Sequence, residues 1–256
     1  MNIAVCVKHI PDPNVPPEMD GKYLKREGVQ GVLDPGDEFG VEAALQIKEA
    51  QGSGEVTLVS MGPASAQEAI RRGLSMGADK GVLITDDKLK GSDALVTARV
   101  LAAAIKKAGE FDLIIAGVES TDGYTGTMPA TLAEFLDLPQ VTFAKTIEAG
   151  DGSVKVNRQT AEGYHVVECA LPAVLTVTAG VNEPRYASFK GIMAAKKKPL
   201  ENWSVADLDL SDDDVAIKQD VAEQTPAEER KAGEVITDDG TAAAKIADFL
   251  QEAKVI

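Results

Sequence analysis

Residues 113–136 read LIIAGVESTDGYTGTMPATLAEFL, and this stretch decides the fold class. It begins with the run Leu113–Ala116, which is apolar on both faces, as in a strand that is covered on two sides. A polar, glycine-rich loop follows, and a helix is predicted from about Met128 to Leu136, ending before Pro139. A buried strand, a loop and a helix in this order are typical of an α/β protein with a parallel sheet.

Similar apolar runs lie on the amino-terminal side of this stretch, at Ile3–Val7, Val56–Ser60 and Gly81–Ile84. Helix-like segments separate them, with start signals at Ser65, which has Glu68 at capping-box spacing, and at Ser92. This alternation predicts an α/β fold with a doubly wound, mostly parallel, Rossmann-like sheet.

The rhythm changes after Gln140 to closely spaced strands, predicted at Thr142–Glu148, Val154–Gln159, Tyr164–Ala170 and Ala173–Thr178. They predict antiparallel hairpin strands added to the sheet. Beyond Lys198 the apolar density falls until a short amphipathic helix from Ala242 to Ala253. We therefore predict an α/β domain at residues 1–198 and an extended C-terminal arm at residues 199–256, which is either a flexible end or wraps a partner.

Composition excludes several classes of function. The net charge of −15 repels polyanions, so we expect no nucleic-acid partner. We also expect no membrane insertion and a cytoplasmic location, because no apolar run approaches about 20 residues and the first segment lacks a signal-peptide cleavage site. Cys6 and Cys169 lie inside apolar strands and are predicted to be buried thiols, and His9 and His165 stand apart, so no metal is expected.

Open α/β sheets hold ligands beyond the carboxyl ends of their strands, and two such ends carry unusual loops: residues 8–13 after the first strand and the loop after Gly117. The loop after Gly117, which is polar and rich in glycine, is the stronger candidate for a binding site. Backbone N–H groups at residues 125–128, together with the hydroxyls of Thr125 and Thr127, would form an anion site at the positive end of the helix. The alternative is that one of these threonines is simply an N-cap.

Sequence chemistry favours binding over catalysis. Neither the dinucleotide fingerprint G-x-G-x-x-G after the first strand nor a phosphate-loop motif occurs. His9 is one candidate base, although an exposed loop histidine is the simpler interpretation, and the sequence places no partner beside Ser120. We therefore predict no catalytic residues.

Residues 181–198 read VNEPRYASFKGIMAAKKK and combine apolar side chains with a basic run in an otherwise acidic protein. Enrichment in aromatic residues, methionine and arginine is typical of a protein-docking surface. The residues that carry this prediction are Arg185, Tyr186, Phe189, Ile192 and Met193. The alternative is that Phe189 and Ile192 fold back into the core of the chain.

Several short motifs, taken in order, resemble the β subunit of electron transfer flavoproteins from the first strand to about Lys198. They are Val7-Lys8 with Pro11-Asp12, Asp34-Pro35, Val41-Glu42-Ala43-Ala44, Gly62-Pro63, Ala69-Ile70-Arg71, Met76-Gly77-Ala78-Asp79, Leu138-Pro139-Gln140, Leu171-Pro172-Ala173-Val174 and Asn182-Glu183-Pro184-Arg185-Tyr186. Each motif is weak alone, but their order and spacing are specific.

The resemblance implies an adenine-nucleotide-binding domain in a heterodimer with an α subunit. Such a carrier shuttles electrons from acyl-CoA or other dehydrogenases, as in fatty acid oxidation, through FAD held mainly by the α subunit to a quinone oxidoreductase. The β subunit buries a structural AMP, and a recognition loop inserts an apolar side chain, here Phe189, into the dehydrogenase. The implied AMP-binding residues are Cys6, Asp34, Pro35, Gly36, Asp37, Met61, Gly117, Ser120, Asp122, Gly123, Tyr124, Thr125, Gly126, Thr127 and Met128.

Three alternatives stay open at this point. Family members that bifurcate electrons bind a second FAD in place of AMP, and the loop from Asp122 to Gly126 only partly resembles theirs. A nucleotide-binding homodimeric sensor without flavin is the rival from another class. A third possibility is a stand-alone hydrolase that uses the loop 117–128.

Overall fold

The computed structural model describes residues 1–26, 28–225, 233 and 235–256. They form two units, Met1–Val221 and Ala222–Ile256. The first unit contains the sheet and the predicted binding site, and the second contains one helix.

The elements follow one another in the predicted α/β rhythm. The strands are β1 (Ile3–Cys6), β2 (His9–Pro11), β3 (Met19–Asp20), β4 (Tyr23–Leu24), β5 (Gly31–Leu33), β6 (Val56–Met61), β7 (Lys80–Ile84), β8 (Leu113–Gly117), β9 (Gln140–Ala149), β10 (Ser153–Thr160), β11 (Gly163–Ala170), β12 (Ala173–Val177) and β13 (Leu200–Trp203). The helices are α1 (Pro35–Gln51), α2 (Gln67–Met76), α3 (Ala94–Ala108), α4 (Met128–Leu136), α5 (Phe189–Ala195) and, in the second unit, α6 (Ala242–Glu252).

Nine strands form one sheet in the order β11-β10-β9-β12-β8-β1-β6-β7-β13. All neighbours from β9 to β13 in this order are parallel, and β10 is antiparallel to both β9 and β11. Every residue of β1, β8 and β12 is buried, which explains why their sequences are apolar on both faces. The predicted α/β class with a mostly parallel sheet is therefore confirmed.

Helices cover both faces of this sheet. Ile3 and Val5 of β1 belong to the core under α1 and α2, whereas Ala4 and Cys6 belong to the core under α3 and α4. This division follows from the alternation of side chains along a strand. Each fully buried aliphatic side chain contributes about 2 kcal/mol of transfer free energy, so both layers stabilise the sheet.

Two predicted helix starts are wrong in detail. Asp93 rather than Ser92 caps α3, its Oδ1 accepting a hydrogen bond from the Val96 N–H at 2.8 Å, because the aspartate is the residue with extended backbone directly before the helix. Ser65 does not cap α2, because it lies inside a 3₁₀ turn, Ala64–Ala66, that leads into the helix. The end of α2 at Gly77 is as predicted.

The predicted antiparallel hairpin strands are confirmed, because β10 pairs antiparallel with both β9 and β11. The last strand of this group, β12, instead pairs parallel with β8 and β9, so it belongs to the parallel part of the sheet. β11 is the outer strand, and no strand of the described chain pairs with its outer side. Its side chains Tyr164 and Val166 are exposed.

The opposite edge of the sheet is formed by β13, which pairs parallel with β7. This strand lies just beyond the predicted boundary at residue 198, and the first unit extends to Val221. In the second unit α6 matches the predicted amphipathic helix, and each of its residues is exposed or partly exposed. A role of residues 199–256 in wrapping a partner stays a prediction.

Candidate functional site

The order in which the chain adds strands to the sheet reverses at β1. The chain runs outward from β1 to β6 and β7, and then crosses to β8 on the other side of β1. Open α/β sheets bind ligands beyond the carboxyl ends of two such strands. Lys8 follows β1 and the loop 118–127 follows β8, so both reach this edge. We call the space between them the switch-point crevice.

Asp34 joins the first helix to the glycine-rich loop. Its carboxylate is fully buried, and Oδ1 accepts a hydrogen bond from the Gly36 N–H at 2.9 Å, which caps α1 in front of Pro35. The same carboxylate accepts from the backbone N–H of Thr121 at 2.7 Å and from its hydroxyl at 2.6 Å. One buried acid therefore positions both a helix start and the loop after β8.

Asp37 lies at the floor of the crevice, in the first turn of α1. Its Oδ2 accepts from the Lys8 N–H at 2.7 Å. Burial, and then the charge of Asp34, raise the pKa of Asp37 well above its usual range, although the N–H groups of Lys8 and Gly117 act in the opposite direction. A Cβ at Gly117 would lie 3.0 Å from Asp37 Oδ1, so glycine allows the end of β8 to approach this acid.

Asp122 is the buried anion of the glycine-rich loop. Its side chain is 4% exposed and is bound by Lys8 Nζ at 2.6 Å and by the Arg26 guanidinium. Lys8 Nζ also donates to Ser120 Oγ at 3.2 Å. Burial raises the pKa of Asp122, but the charges of Lys8 and Arg26 outweigh that effect and hold the pKa below its usual range. Two cations therefore face one carboxylate here.

Residues 123–127 are exposed and connect the crevice to the start of α4. Tyr124 has a φ of 47° and Gly126 a φ of 64°, a left-handed conformation that is ordinary for glycine and uncommon for tyrosine. Thr127 occupies the N-cap position, but within the described chain its hydroxyl makes no capping hydrogen bond. The alternative that one of these threonines is an N-cap is therefore confirmed for the position of Thr127 but not for a capping hydroxyl. The N–H groups of Met128 and Ala130 remain available, whereas Pro129 between them has no N–H.

Cys6 and Met61 lie where β1 and β6 end, at the same edge of the sheet. Burial, and then the charge of Asp37, raise the pKa of the Cys6 thiol to about 12. Met61 is partly buried and packs against the same core cluster as Cys6. Both are therefore neutral, apolar groups at neutral pH.

Hydrogen bonds connect some of the predicted site residues, whereas others only follow them along the loop. Hydrogen bonds connect Asp34, Gly36, Asp37, Ser120 and Asp122 through Lys8 and Thr121. The N–H groups of Gly123 and Tyr124 donate to the carbonyl oxygen of Ser120 and so join this network. Thr125, Gly126, Thr127 and Met128 continue the loop beyond it.

Sequence reasoning missed three members of the network. Lys8 could have been predicted, since it directly follows the first predicted strand and so lies at the carboxyl edge of the sheet. Thr121 stood within the quoted loop, between predicted residues. Arg26 could not have been predicted, because it lies 96 residues from Asp122 along the chain. The ligand-binding roles of all these residues stay a prediction.

A cavity of about 340 Å³ adjoins the crevice, lined by His9, Arg26, residues 28–31, Ser65 and Glu68. His9 lies half-buried in β2, so the interpretation of His9 as an exposed loop residue is wrong. Burial lowers the pKa of His9, and its Nε2 has no hydrogen-bond partner among the described residues. Because Arg26 both lines this cavity and binds Asp122, the two spaces share a wall.

Residues 182–195, which we call the α5 segment, present apolar side chains to solvent. Tyr186 is 93% exposed and Phe189 80% exposed, and Ile192 and Met193 are about half exposed. The alternative in which Phe189 and Ile192 fold back into the core is therefore wrong. Arg185 is held on the inner side of the segment by hydrogen bonds to two glutamates of α1.

The part of the chain that the structure describes contains no group of three or more His, Cys, Asp or Glu side chains that could hold a metal ion. Cys6 and Cys169 are free and buried, as predicted. None of the described helices is both long enough and apolar enough to cross a membrane.

Topology and crevice together define an open α/β protein of the class that holds its ligand at a topological switch point. The family model for the electron transfer flavoprotein domain matches residues 23–208. The electron transfer flavoprotein subunit beta of Mycobacterium leprae is 43% identical to the chain over 264 residues, which cover 100% of the chain and 99% of that relative. The chain belongs to the electron transfer flavoprotein family, as a β subunit, and the resemblance noted in the sequence is confirmed.

Other relatives agree with this assignment. The electron transfer flavoprotein subunit beta of Megasphaera elsdenii is 37% identical over 224 residues, covering 85% of the chain and 83% of the relative. The caffeyl-CoA reductase-Etf complex subunit CarD of Acetobacterium woodii is 40% identical over 213 residues, covering 82% of the chain and 81% of the relative.

Proposed function

We propose that this β subunit pairs with an α subunit in a cytoplasmic heterodimer that carries electrons from acyl-CoA or other dehydrogenases to a quinone oxidoreductase. FAD, held mainly by the α subunit, would supply the electron chemistry. The chain itself contributes a nucleotide site and a docking surface, without catalytic turnover of its own. Membership of the family and these two surfaces support the proposal.

The crevice suits a nucleoside monophosphate, and we propose AMP. The observation that carries this step is the cluster of Lys8, Ser120 and Asp122 in the loop that leads into α4. Lys8 would supply positive charge, while the hydroxyls of Thr125 and Thr127 and the N–H groups of Met128 and Ala130 would supply donors for phosphate oxygens. Phosphate binding would need no metal in this arrangement.

The remaining predicted residues would shape the rest of the AMP site. Cys6 and Met61 offer apolar contact to a purine base at the strand ends. Asp34, Pro35, Gly36 and Asp37 would fix the start of α1 next to the nucleotide, and Gly123 and Gly126 would let backbone approach it.

The test of this proposal is the nucleotide content of the heterodimer. The chain is co-expressed with the α subunit encoded by the same organism, and the purified complex is heat-denatured. Released nucleotides are then identified by chromatography and mass spectrometry. We expect one FAD and one AMP per heterodimer. A flavin-free homodimer of this chain would overturn the proposal in favour of a nucleotide-binding sensor, and turnover of a nucleotide by the chain alone would favour a hydrolase.

A second FAD in place of AMP is the alternative that one observation favours. The cavity of about 340 Å³ shares Arg26 with the crevice and would give a larger nucleotide room beside it. Two FAD and no AMP in the same nucleotide assay would establish this alternative.

The α5 segment is the surface that we propose for the dehydrogenase. Its exposed aromatic and methionine side chains have the composition of a docking centre. Phe189→Ala should slow electron transfer from an acyl-CoA dehydrogenase by about tenfold, as expected for an anchor residue, while heterodimer and FAD stay intact. Leu95→Ala, which removes an exposed apolar side chain from α3, is the matched control and should leave the rate unchanged. Loss of the heterodimer in Phe189→Ala would place Phe189 in the subunit interface instead.

A further inference from the structure

Arg185 is bound to α1 through two edges of its planar guanidinium group. Its Nε and Nη2 donate to the carboxylate of Glu42 at 2.7 and 3.0 Å, and its Nη1 and Nη2 donate to Glu49 at 2.5 and 3.0 Å. Its backbone N–H also donates to Glu42 at 3.2 Å. The two glutamates lie about two helical turns apart on one face of α1, so a single planar arginine reaches both.

Glu42 is the partner that fixes this arrangement. Its side chain is 4% exposed, whereas that of Glu49 is 58% exposed. Burial raises the pKa of Glu42, but hydrogen bonds from Arg185 outweigh that effect and leave the pKa below its usual range. A buried carboxylate without its cation is strongly unfavourable, whereas an exposed ion pair contributes little. Arg185 is therefore held at a place that Glu42 defines.

The far end of the α5 segment is held by α2. Arg71 Nη1 donates to the carbonyl oxygens of Ala195 and Lys198, at 2.5 and 2.9 Å, and Lys198 Nζ donates to the Leu74 carbonyl at 3.0 Å. Between the two ends, a Cβ on Gly191 would lie 2.5 Å from the Ser75 carbonyl oxygen, so α5 and α2 are in close contact. The exposed apolar side chains thus stand on a segment that is fixed at both ends.

We infer that Arg185 is a positioning residue, which through Glu42 and Glu49 holds the α5 segment in the orientation that an electron-donating dehydrogenase recognises. The inference rests on the docking role proposed above for this segment. A surface that is already ordered loses little conformational entropy on association, so the clamp should favour binding rather than the electron-transfer step.

The test uses Glu42→Gln and Arg185→Lys in the purified heterodimer. Glutamine keeps the size of Glu42 without its charge, and lysine cannot bind both glutamates at once. Each variant should raise the apparent KM for the heterodimer by about tenfold in an assay with an acyl-CoA dehydrogenase reduced by its substrate, and leave kcat unchanged. Glu38→Gln is the matched control, because Glu38 lies on the same helix and binds Arg72 of α2 at 3.0 Å. It should behave as wild type.

A double variant separates positioning from direct contact with the dehydrogenase. Because Glu42 is buried, it cannot touch a partner, so Glu42→Gln together with Arg185→Lys should raise KM no more than either change alone. Amide hydrogen exchange at residues 186–193 should also become faster in both single variants, while exchange in β1 stays unchanged. Multiplicative effects on KM, or unchanged exchange in the segment, would overturn the inference.

The Phe189→Ala experiment distinguishes the two levels of the proposal. If Phe189→Ala slows electron transfer and Glu42→Gln does not, the positioning role alone is wrong. If Phe189→Ala leaves electron transfer unchanged, the docking role itself is wrong.

Discussion

The switch-point crevice and the α5 segment use charge in opposite ways. In the crevice the charged side chains Lys8 and Asp122 line the space that we propose for the ligand. In the α5 segment the charged groups, Arg185 with Glu42, lie behind the surface, and apolar side chains face outward. A small anionic ligand is bound by charge and N–H groups, whereas a protein partner is bound by ordered apolar area. Substitutions in the crevice should therefore affect nucleotide binding but not binding of the dehydrogenase, and substitutions in the α5 segment should affect binding of the dehydrogenase but not of the nucleotide.

The largest effect is expected where the crevice loses its buried acid. Asp34→Ala should lower the free energy of unfolding by about 3 kcal/mol, since it removes a helix cap and leaves the partly buried Thr121 N–H without its acceptor. The heterodimer should also lose its nucleotide. Urea unfolding and nucleotide analysis measure both effects. Asp93→Ala, which removes the cap of α3, is the control and should cost about 1 kcal/mol without nucleotide loss. A full equivalent of nucleotide in Asp34→Ala would contradict this account of the crevice.

The corresponding change in the α5 segment is Gly191→Ala. The added methyl group would meet the Ser75 carbonyl oxygen and displace α5, at a cost of about 1 to 3 kcal/mol. We expect a severalfold higher KM with the dehydrogenase and an unchanged nucleotide content. Ala194→Gly, at an exposed position of the same helix, weakens helix propensity by about 1 kcal/mol without a clash. Equal KM values in the two variants would show that binding of the dehydrogenase depends on the stability of α5 and not on its position against α2.

Lys8→Met tests the charge of the crevice alone. It removes one cation from the proposed phosphate site, while Asp122 keeps Arg26. The affinity for AMP should fall by about tenfold, measured by calorimetric titration of nucleotide-depleted heterodimer, and KM for the dehydrogenase should not change. The control is Lys25→Met, which breaks an exposed ion pair with Glu18. Undiminished affinity in Lys8→Met would exclude this lysine from the nucleotide site.

The smallest effect concerns pH. Because the pKa of Asp37 is raised in the folded state, the unfolded chain releases this proton at a lower pH than the folded chain does. The contribution of Asp37 to stability therefore falls as pH rises from its unfolded pKa towards its folded pKa. Asp37→Asn removes this dependence, so the variant should gain stability relative to wild type between pH 4 and pH 7, as measured by urea unfolding. A constant difference between the two proteins over this range would refute the raised pKa.

The central strands could be predicted from the sequence because they are buried on both faces and therefore read as continuous apolar runs. β13 could not be, since Leu200–Trp203 is a short edge strand with polar residues in its middle. The cap of α3 was misplaced by one residue because Ser92 and Asp93 are both good caps and only backbone conformation distinguishes them.

In the candidate site too, some features could be predicted from the sequence and others could not. The glycine-rich loop and the apolar residues of the α5 segment are local features of composition, and the sequence displays them. The groups that position them come from distant parts of the chain: Lys8 is 114 residues from Asp122, and Glu42 is 143 residues from Arg185. Pairings of this length depend on the order of strands in the sheet, which a single sequence does not state.

β11 ends the sheet with a row of backbone N–H and C=O groups on its outer side and with Tyr164 and Val166 exposed. Such an edge can accept a strand from any chain, including a second copy of itself. While this edge is uncovered, such pairing is a route to aggregation, and any contact that covers β11 would protect the chain from pairing with itself.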